Sequence, residues 1–219
     1  MNMDDKKWEK RAVLGGVIFV ILNVIGVILQ GSLPMKDDTN AEVLEWFTDK
    51  ESGIRTAAFL GAISLIAISF WFGSLWRRMA KADGNNHRLS IVSLVGFIAS
   101  GALFAASTAV LSTVALRVGE VDEVNARFFY VMSTVLLSLS GPVIATHLAA
   151  TNLLALREGF LPKWNAMLGF LPALAFLVAS AGAMSDEDLP MIAGLIGFVT
   201  WMIWLLATSI HMWRTADTY

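Results

Sequence analysis

Cysteine is absent from the chain, which rules out disulfides and thiolate metal ligands. Charge is scarce: Asp, Glu, Lys and Arg make up 16% of the 219 residues, while 56% are hydrophobic. A soluble domain carries charge on roughly a quarter of its residues, so most of this surface must face a different solvent. The scarcity is also patterned. Residues 12–30, 56–76, 89–116, 128–156, 164–184 and 191–213 contain no Asp, Glu, Lys or Arg. A helix needs about 20 largely apolar residues to cross a bilayer, and each window supplies such a stretch. The fold expected is all-α: a single transmembrane domain over residues 1–219, built as a six-helix polytopic bundle.

The missing charges exclude whole classes of function. No lysine lies within a span, so a retinal Schiff base is out. Ion-coupled pumps and voltage sensors need carboxylates or arginines inside the membrane, and the spans hold none. Only three histidines occur: His87 in a loop, His211 at a helix end, and His147 about 14 Å inside its helix by the rise per residue. They do not suit a two-histidine haem. No Walker sequence or dinucleotide glycine pattern appears, and the acidic loops lack the alternating ligands and central glycine of a calcium site. No metal, no cofactor and no nucleic-acid partner is expected.

The charges that are present polarise the molecule. Lys6, Lys7, Lys10, Arg11, Arg77, Arg78, Lys81, Arg88, Arg157, Lys163 and Arg214 fall on one side, eleven of sixteen cations. The positive-inside rule makes that side cytoplasmic, with both termini in the cytoplasm. Acidic residues favour the other side by twelve to six. Trp8, Trp76, Trp164 and Trp213 stand at the inner boundaries, where an apolar ring with one polar edge is favoured. The first apolar run follows a basic start without an A-x-A-like cleavage site, and reads as a retained span.

In the first outer loop, Thr39 and Glu42 match a capping box, which supplies partners to the orphan N–H groups of a helix start. Val43, Leu44 and Phe47 share one face, with Trp46 at its edge. A short amphipathic helix over residues 39–50 follows, lying on the membrane surface or on the tops of the spans. Ser185 to Pro190 reads as another helix start, with Asp186, Glu187 and Asp188 in its first turn. The inner entries HRLSIVSLVGF and PKWNAMLGF resemble each other loosely, as repeated hairpins do.

In lipid, small residues and side-chain hydrogen bonds hold helices together. Gly96, Ser100, Gly101 and Ala105 provide two small-xxx-small pairs in span three, and Gly169 with Pro172 predicts a kink in span five. In span four, Ser133, Ser140 and His147 are seven apart and share a face, with Thr151 one turn below and Asn152 beside it. Pro142 removes an amide and Gly141 eases a bend, so a kink is expected there. In span six, Gly194, Gly197, Trp201, Trp204, Thr208 and His211 recur at 3-4-3-4-3 spacing and form one seam. The expectation is a polar, aromatic site between spans four and six, centred on His147 with Ser140, Thr151, Asn152, Trp201, Trp204, Thr208 and His211. His147 is read there either as a proton-exchanging or ligand-binding group, or as a neutral lock between two helices. Ser140 and His147 are about 10 Å apart along the axis, too far to be a nucleophile and its base.

The charged start, span one, the outer Pro-acidic amphipathic loop and the basic inner turns resemble, over the whole chain, small six-helix membrane proteins known only as domains of unknown function. These are common in bacteria, actinobacteria especially. The resemblance implies the same architecture and a location in the bacterial plasma membrane. Three functions stay open. One is a non-enzymatic bundle that binds, or assists the movement of, a small apolar or amphipathic ligand between spans four and six. Another is a subunit of a membrane complex, permease-like, with lipids, a second copy or other membrane subunits as partners. The third is an enzyme that modifies lipid or quinone with His147 as base.

Overall fold

A computed structural model of the chain describes residues 3–183 and 188–216. Among the described residues eight α-helices follow in order: α1 (Met3–Gln30), α2 (Asn40–Asp49), α3 (Glu51–Asp83), α4 (Arg88–Leu116), α5 (Glu123–Glu158), α6 (Lys163–Leu168), α7 (Phe170–Ala179) and α8 (Asp188–Arg214). No strand occurs among the described residues. Six segments are long and apolar enough to span a membrane, the fifth being α6 and α7 together over Lys163–Ala183. The all-α six-span fold is therefore the observed one. Most helices overrun their charge-free windows: α3 continues to Asp83 and α5 begins at Glu123, because charged residues are tolerated in a helix once its turns reach the headgroups. Residue 184, part of the expected fifth window, and Ser185, Asp186 and Glu187 lie outside the described residues. For Asp188 only the backbone is described.

The bundle has two faces. The terminal face carries the start of α1, the end of α8 and the short α3–α4 and α5–α6 connections; the opposite face carries α2. Gly159 ends α5 on the terminal face at φ 73°, a left-handed cap that a side chain would strain. The most extensive packing joins α4 to α5 and α1 to α3.

α2 forms for the reasons its sequence suggests. Thr39 is the N-cap: its hydroxyl accepts from the Glu42 amide at 3.3 Å, and the Glu42 carboxylate accepts from the Thr39 amide at 2.6 Å. The helix rests on the tops of the spans. Val43, Trp46 and Phe47 bury against Ile54 of α3, Val114 and Ala115 of α4, and Ala126 of α5. Full burial of a side chain such as Phe47 stabilises by about 1.5–3 kcal/mol, which is what seats the cap. Trp46 Nε1 donates to the Gln30 carbonyl at 3.2 Å and so closes the end of α1. The linker before α2 is held by α5. Arg127 donates to the Lys36 and Asp38 carbonyls, and the Tyr130 hydroxyl to that of Pro34.

The fifth span breaks at Gly169, between α6 and α7. Pro172 has no amide to continue the ladder. At Gly169 a Cβ would collide with the Asn152 amide, so glycine lets α5 approach the break.

Candidate functional site

The expected residues are distributed along α5 and α8, and the structure brings only some of them together. His147 is 1% exposed. Its Nδ1 lies 2.8 Å from the Ser93 hydroxyl of α4, which is also 2.9 Å from the Thr151 hydroxyl. Thr151 reaches on to the Met79 sulfur of α3 at 3.6 Å. The His147 ring packs edge-on to Phe72 and Phe97, each at 5.5 Å between centroids, and to Trp204 at 6.2 Å. Phe72 and Phe97 stack on one another at 4.0 Å. Gly96 permits this closeness: a Cβ there would stand 2.6 Å from the Val143 carbonyl oxygen and 2.8 Å from the His147 nitrogen.

One turn along, Trp204 Nε1 donates to Asn152 Oδ1 at 3.0 Å, and Asn152 donates back to the Leu148 carbonyl of its own helix. Asn165 of α6 donates to the Thr208 hydroxyl at 3.0 Å. Thus Thr151, Asn152, Trp204 and Thr208 do participate in links between α5, α6 and α8, with α4 and α3 drawn in through Ser93 and Met79.

Three expected members stand apart. Ser140 donates to the Leu137 carbonyl of its own helix and does not meet His147. Trp201 packs on Phe19 and Phe176, towards the α2 face. Its indole N–H is buried without a partner, as is Asn165 Oδ1. His211 is half-buried at the terminal end of α8. The shared face of Ser133, Ser140 and His147 divides among its neighbours. It does not turn as a unit to α8: Ser133 pairs with Ser107 of α4, and His147 with Ser93 of α4. Gly96 draws α4 onto that face, so the helix nearest in space, rather than α8, takes the hydroxyls. Gly141 has a second use beside Pro142, because a Cβ there would collide with the Phe176 carbonyl of α7.

Chemically, Ser93 and His147 are within the reach of a nucleophile and its base. Access is what they lack. Ser93 is fully buried, His147 nearly so, and three aromatic rings close the space around the imidazole. The polar atoms here serve as helix-to-helix links.

Two features escaped the sequence reading. Near the terminal face, buried Arg78 of α3 meets Glu9 of α1 at 3.4 Å, donates to Thr215 at 2.7 Å, and donates to the Met212 carbonyl at 2.9 Å. Ser74 donates to the same carboxylate at 3.1 Å. As sequence, Arg78 was one more loop cation; the signal was its place one turn after Ser74 and two after Trp71, on the buried face of α3.

The second feature is a groove of about 360 Å³ between α3 and α4, in the half of the bundle nearer α2. Ala58, Gly61, Ala62 and Leu65 line it from α3, Phe104, Ala105 and Ala109 from α4, and Arg55 stands at its α2-side mouth. The available signal was two small-residue rows facing each other. Gly96 is consumed by α5, whereas Gly101 has nothing within 4 Å of a would-be Cβ. Among the described residues, no cluster of three or more His, Asp and Glu side chains is arranged to hold a metal ion.

A family model described as a domain of unknown function, DUF4386, matches residues 14–208. The chain belongs to that family. The match begins in α1 and ends in α8, so it takes in the second to fifth spans of this DUF4386 member whole and most of the first and sixth. The groove, the His147 links and the α2 cap lie inside the matched region as well, while Glu9 lies before it. No curated protein and no solved structure matches the chain.

Proposed function

We propose that this protein is a non-enzymatic integral membrane protein that binds an apolar or amphipathic molecule of the bilayer laterally, in the groove between α3 and α4. The groove itself carries this reading. Its lining is mostly apolar, with Thr108 and Ser112 the hydroxyl-bearing exceptions beside Arg55. Its members Phe59, Ala62 and Ala109 are exposed on the outside of the bundle, and among the described residues it lies in the half with fewer interhelical polar links. The His147 links and the Arg78–Glu9 pair then form the fixed half against which the groove is held. The expected site between spans four and six thus acts as a lock, and ligand binding moves to the other side of α4. A bacterial plasma membrane with both termini in the cytoplasm is part of the proposal. It is supported by the cation asymmetry, and carboxy-terminal fusions to a fluorescent protein and to alkaline phosphatase test it: fluorescence without phosphatase activity is expected.

The binding reading is tested with a photoactivatable diazirine fatty acid added to membranes that contain the full chain. Labelling concentrated on α3 residues 58–65 and α4 residues 104–112, and lost in A62W, is expected. Even labelling of all lipid-facing helices would overturn it.

The Ser93–His147 contact favours one second reading, a membrane hydrolase with Ser93 as nucleophile. A fluorophosphonate probe separates the two. Labelling that disappears in S93A would establish the hydrolase, and no labelling at Ser93 is expected here.

A further inference from the structure

The α3–α4 groove has a polar end and a length, and both point to a particular occupant. From Arg55 to Leu65 the lining runs ten residues of α3, about 15 Å at the helical rise of 1.5 Å per residue. That is half of a hydrocarbon core of about 30 Å, the depth of one leaflet. The floor contributes Gly61 and Leu65 from α3 and Phe104 from α4, none of them charged. At the mouth Arg55 is the charged residue of the lining, and the Glu51 carboxylate stands one turn before it on α3. Arg55 is half-exposed, and its Nη1 donates to Glu51 at 2.8 Å. A guanidinium has five N–H donors, so this pairing anchors the side chain while leaving other donors free. Arginine and phosphate form short, charge-assisted hydrogen bonds, often bidentate, that neutral headgroups cannot match.

We propose that the groove holds one acyl chain of a phospholipid from the leaflet on the α2 side, with the lipid phosphate bound by Arg55. This rests on the reading of the groove as a lateral binding site and adds the class of ligand and the residue that selects it. The single-leaflet length favours a lipid chain over a transmembrane helix of a partner, which would continue past Leu65 to the terminal face. Below Leu65, Phe72 of α3 stacks on Phe97 of α4, and that contact closes the cleft. The groove therefore ends near mid-membrane. Arg55 also lies directly after Ile54, which α2 buries, so the cap fixes the height at which the guanidinium sits.

The test is native mass spectrometry of the full chain in mild detergent, titrated separately with phosphatidylethanolamine and with diacylglycerol of the same acyl chains. Wild-type protein is expected to retain the phospholipid at least tenfold better. R55Q should reduce phospholipid retention to the diacylglycerol level, and A62W should reduce retention of both. Ala62 and Arg55 are exposed, so both variants should fold, and thermal unfolding at the wild-type temperature verifies it. Loss in A62W with no change in R55Q would overturn the phosphate assignment and leave the groove reading standing. No change in either variant would overturn both. If A62W instead converts a dimer to a monomer without altering lipid retention, the occupant is a second copy and the lipid proposal fails.

Discussion

Replacing His147 by alanine should destabilise the bundle by about 2–5 kcal/mol. The magnitude follows from what the ring touches. Edge-on contacts with Phe72, Phe97 and Trp204 are lost together, each worth about 0.5–1.5 kcal/mol for an aromatic pair. The hydrogen bond to Ser93 adds about 0.6 kcal/mol, the average for interhelical side-chain bonds within membranes. The hydrophobic effect adds little here, because lipid tails are as apolar as the protein interior. S93A keeps the aromatic cluster and should cost less than about 1 kcal/mol. The assay is reversible unfolding of the detergent-solubilised protein by titration with sodium dodecyl sulfate, followed by circular dichroism. Were H147A to unfold within about 0.5 kcal/mol of wild type, the range of a neutral surface substitution, the imidazole would not be a lock and the argument would fail.

Other substitutions probe separate parts of the account. R78Q leaves the Glu9 carboxylate buried without its partner, so it should cost about 3–5 kcal/mol in the same unfolding assay. A smaller cost for the double variant E9Q/R78Q than for R78Q would identify the stranded charge as the cause. G96A drives a Cβ into the backbone of α5 and should cost about 1–3 kcal/mol, the range for overpacking. G101A meets open space and should stay within about 0.5 kcal/mol. T39A removes the α2 cap and should lower the local stability of that helix by about 1 kcal/mol, read from amide protection factors. Glu42 has a lowered pKa, chiefly through the hydrogen bond from the Thr39 backbone and then that from its side chain. Its contribution to α2 is therefore fully present above the ordinary carboxylate value of 4.5 and is lost as pH falls through the lowered folded value. Protection of α2 should decline over that acid range in wild type and change less in E42Q.

The spans were legible because a bilayer accepts few charges, and the charge-free windows mark where the chain crosses. The α2 cap was legible for a different reason: the Thr39–Glu42 spacing and the Val43–Phe47 face are local. The candidate site was legible in part. Heptad spacing put His147 and Thr151 on one face and Trp204 with Thr208 on another, and those side chains do form links. Periodicity names a face without naming the neighbour: Ser133 pairs with α4 alone, while His147 bonds to α4 and packs on Trp204 of α8. Arg78 was illegible because an arginine beyond a span reads as a loop charge, and its burial depends on a carboxylate 69 residues away. The groove was illegible on stronger grounds. It arises where two helices fail to fill the space between them: each carries a row of small residues, but only their packing sets those rows opposite one another.

The most direct test of the central claim is an experimental density map of the full chain in a lipid nanodisc. Elongated acyl density is expected between Ala62 and Ala109, ending near Leu65, with solid side-chain density and no void or ligand around His147. Density for a bound molecule beside His147, with the α3–α4 groove closed or empty, would contradict it.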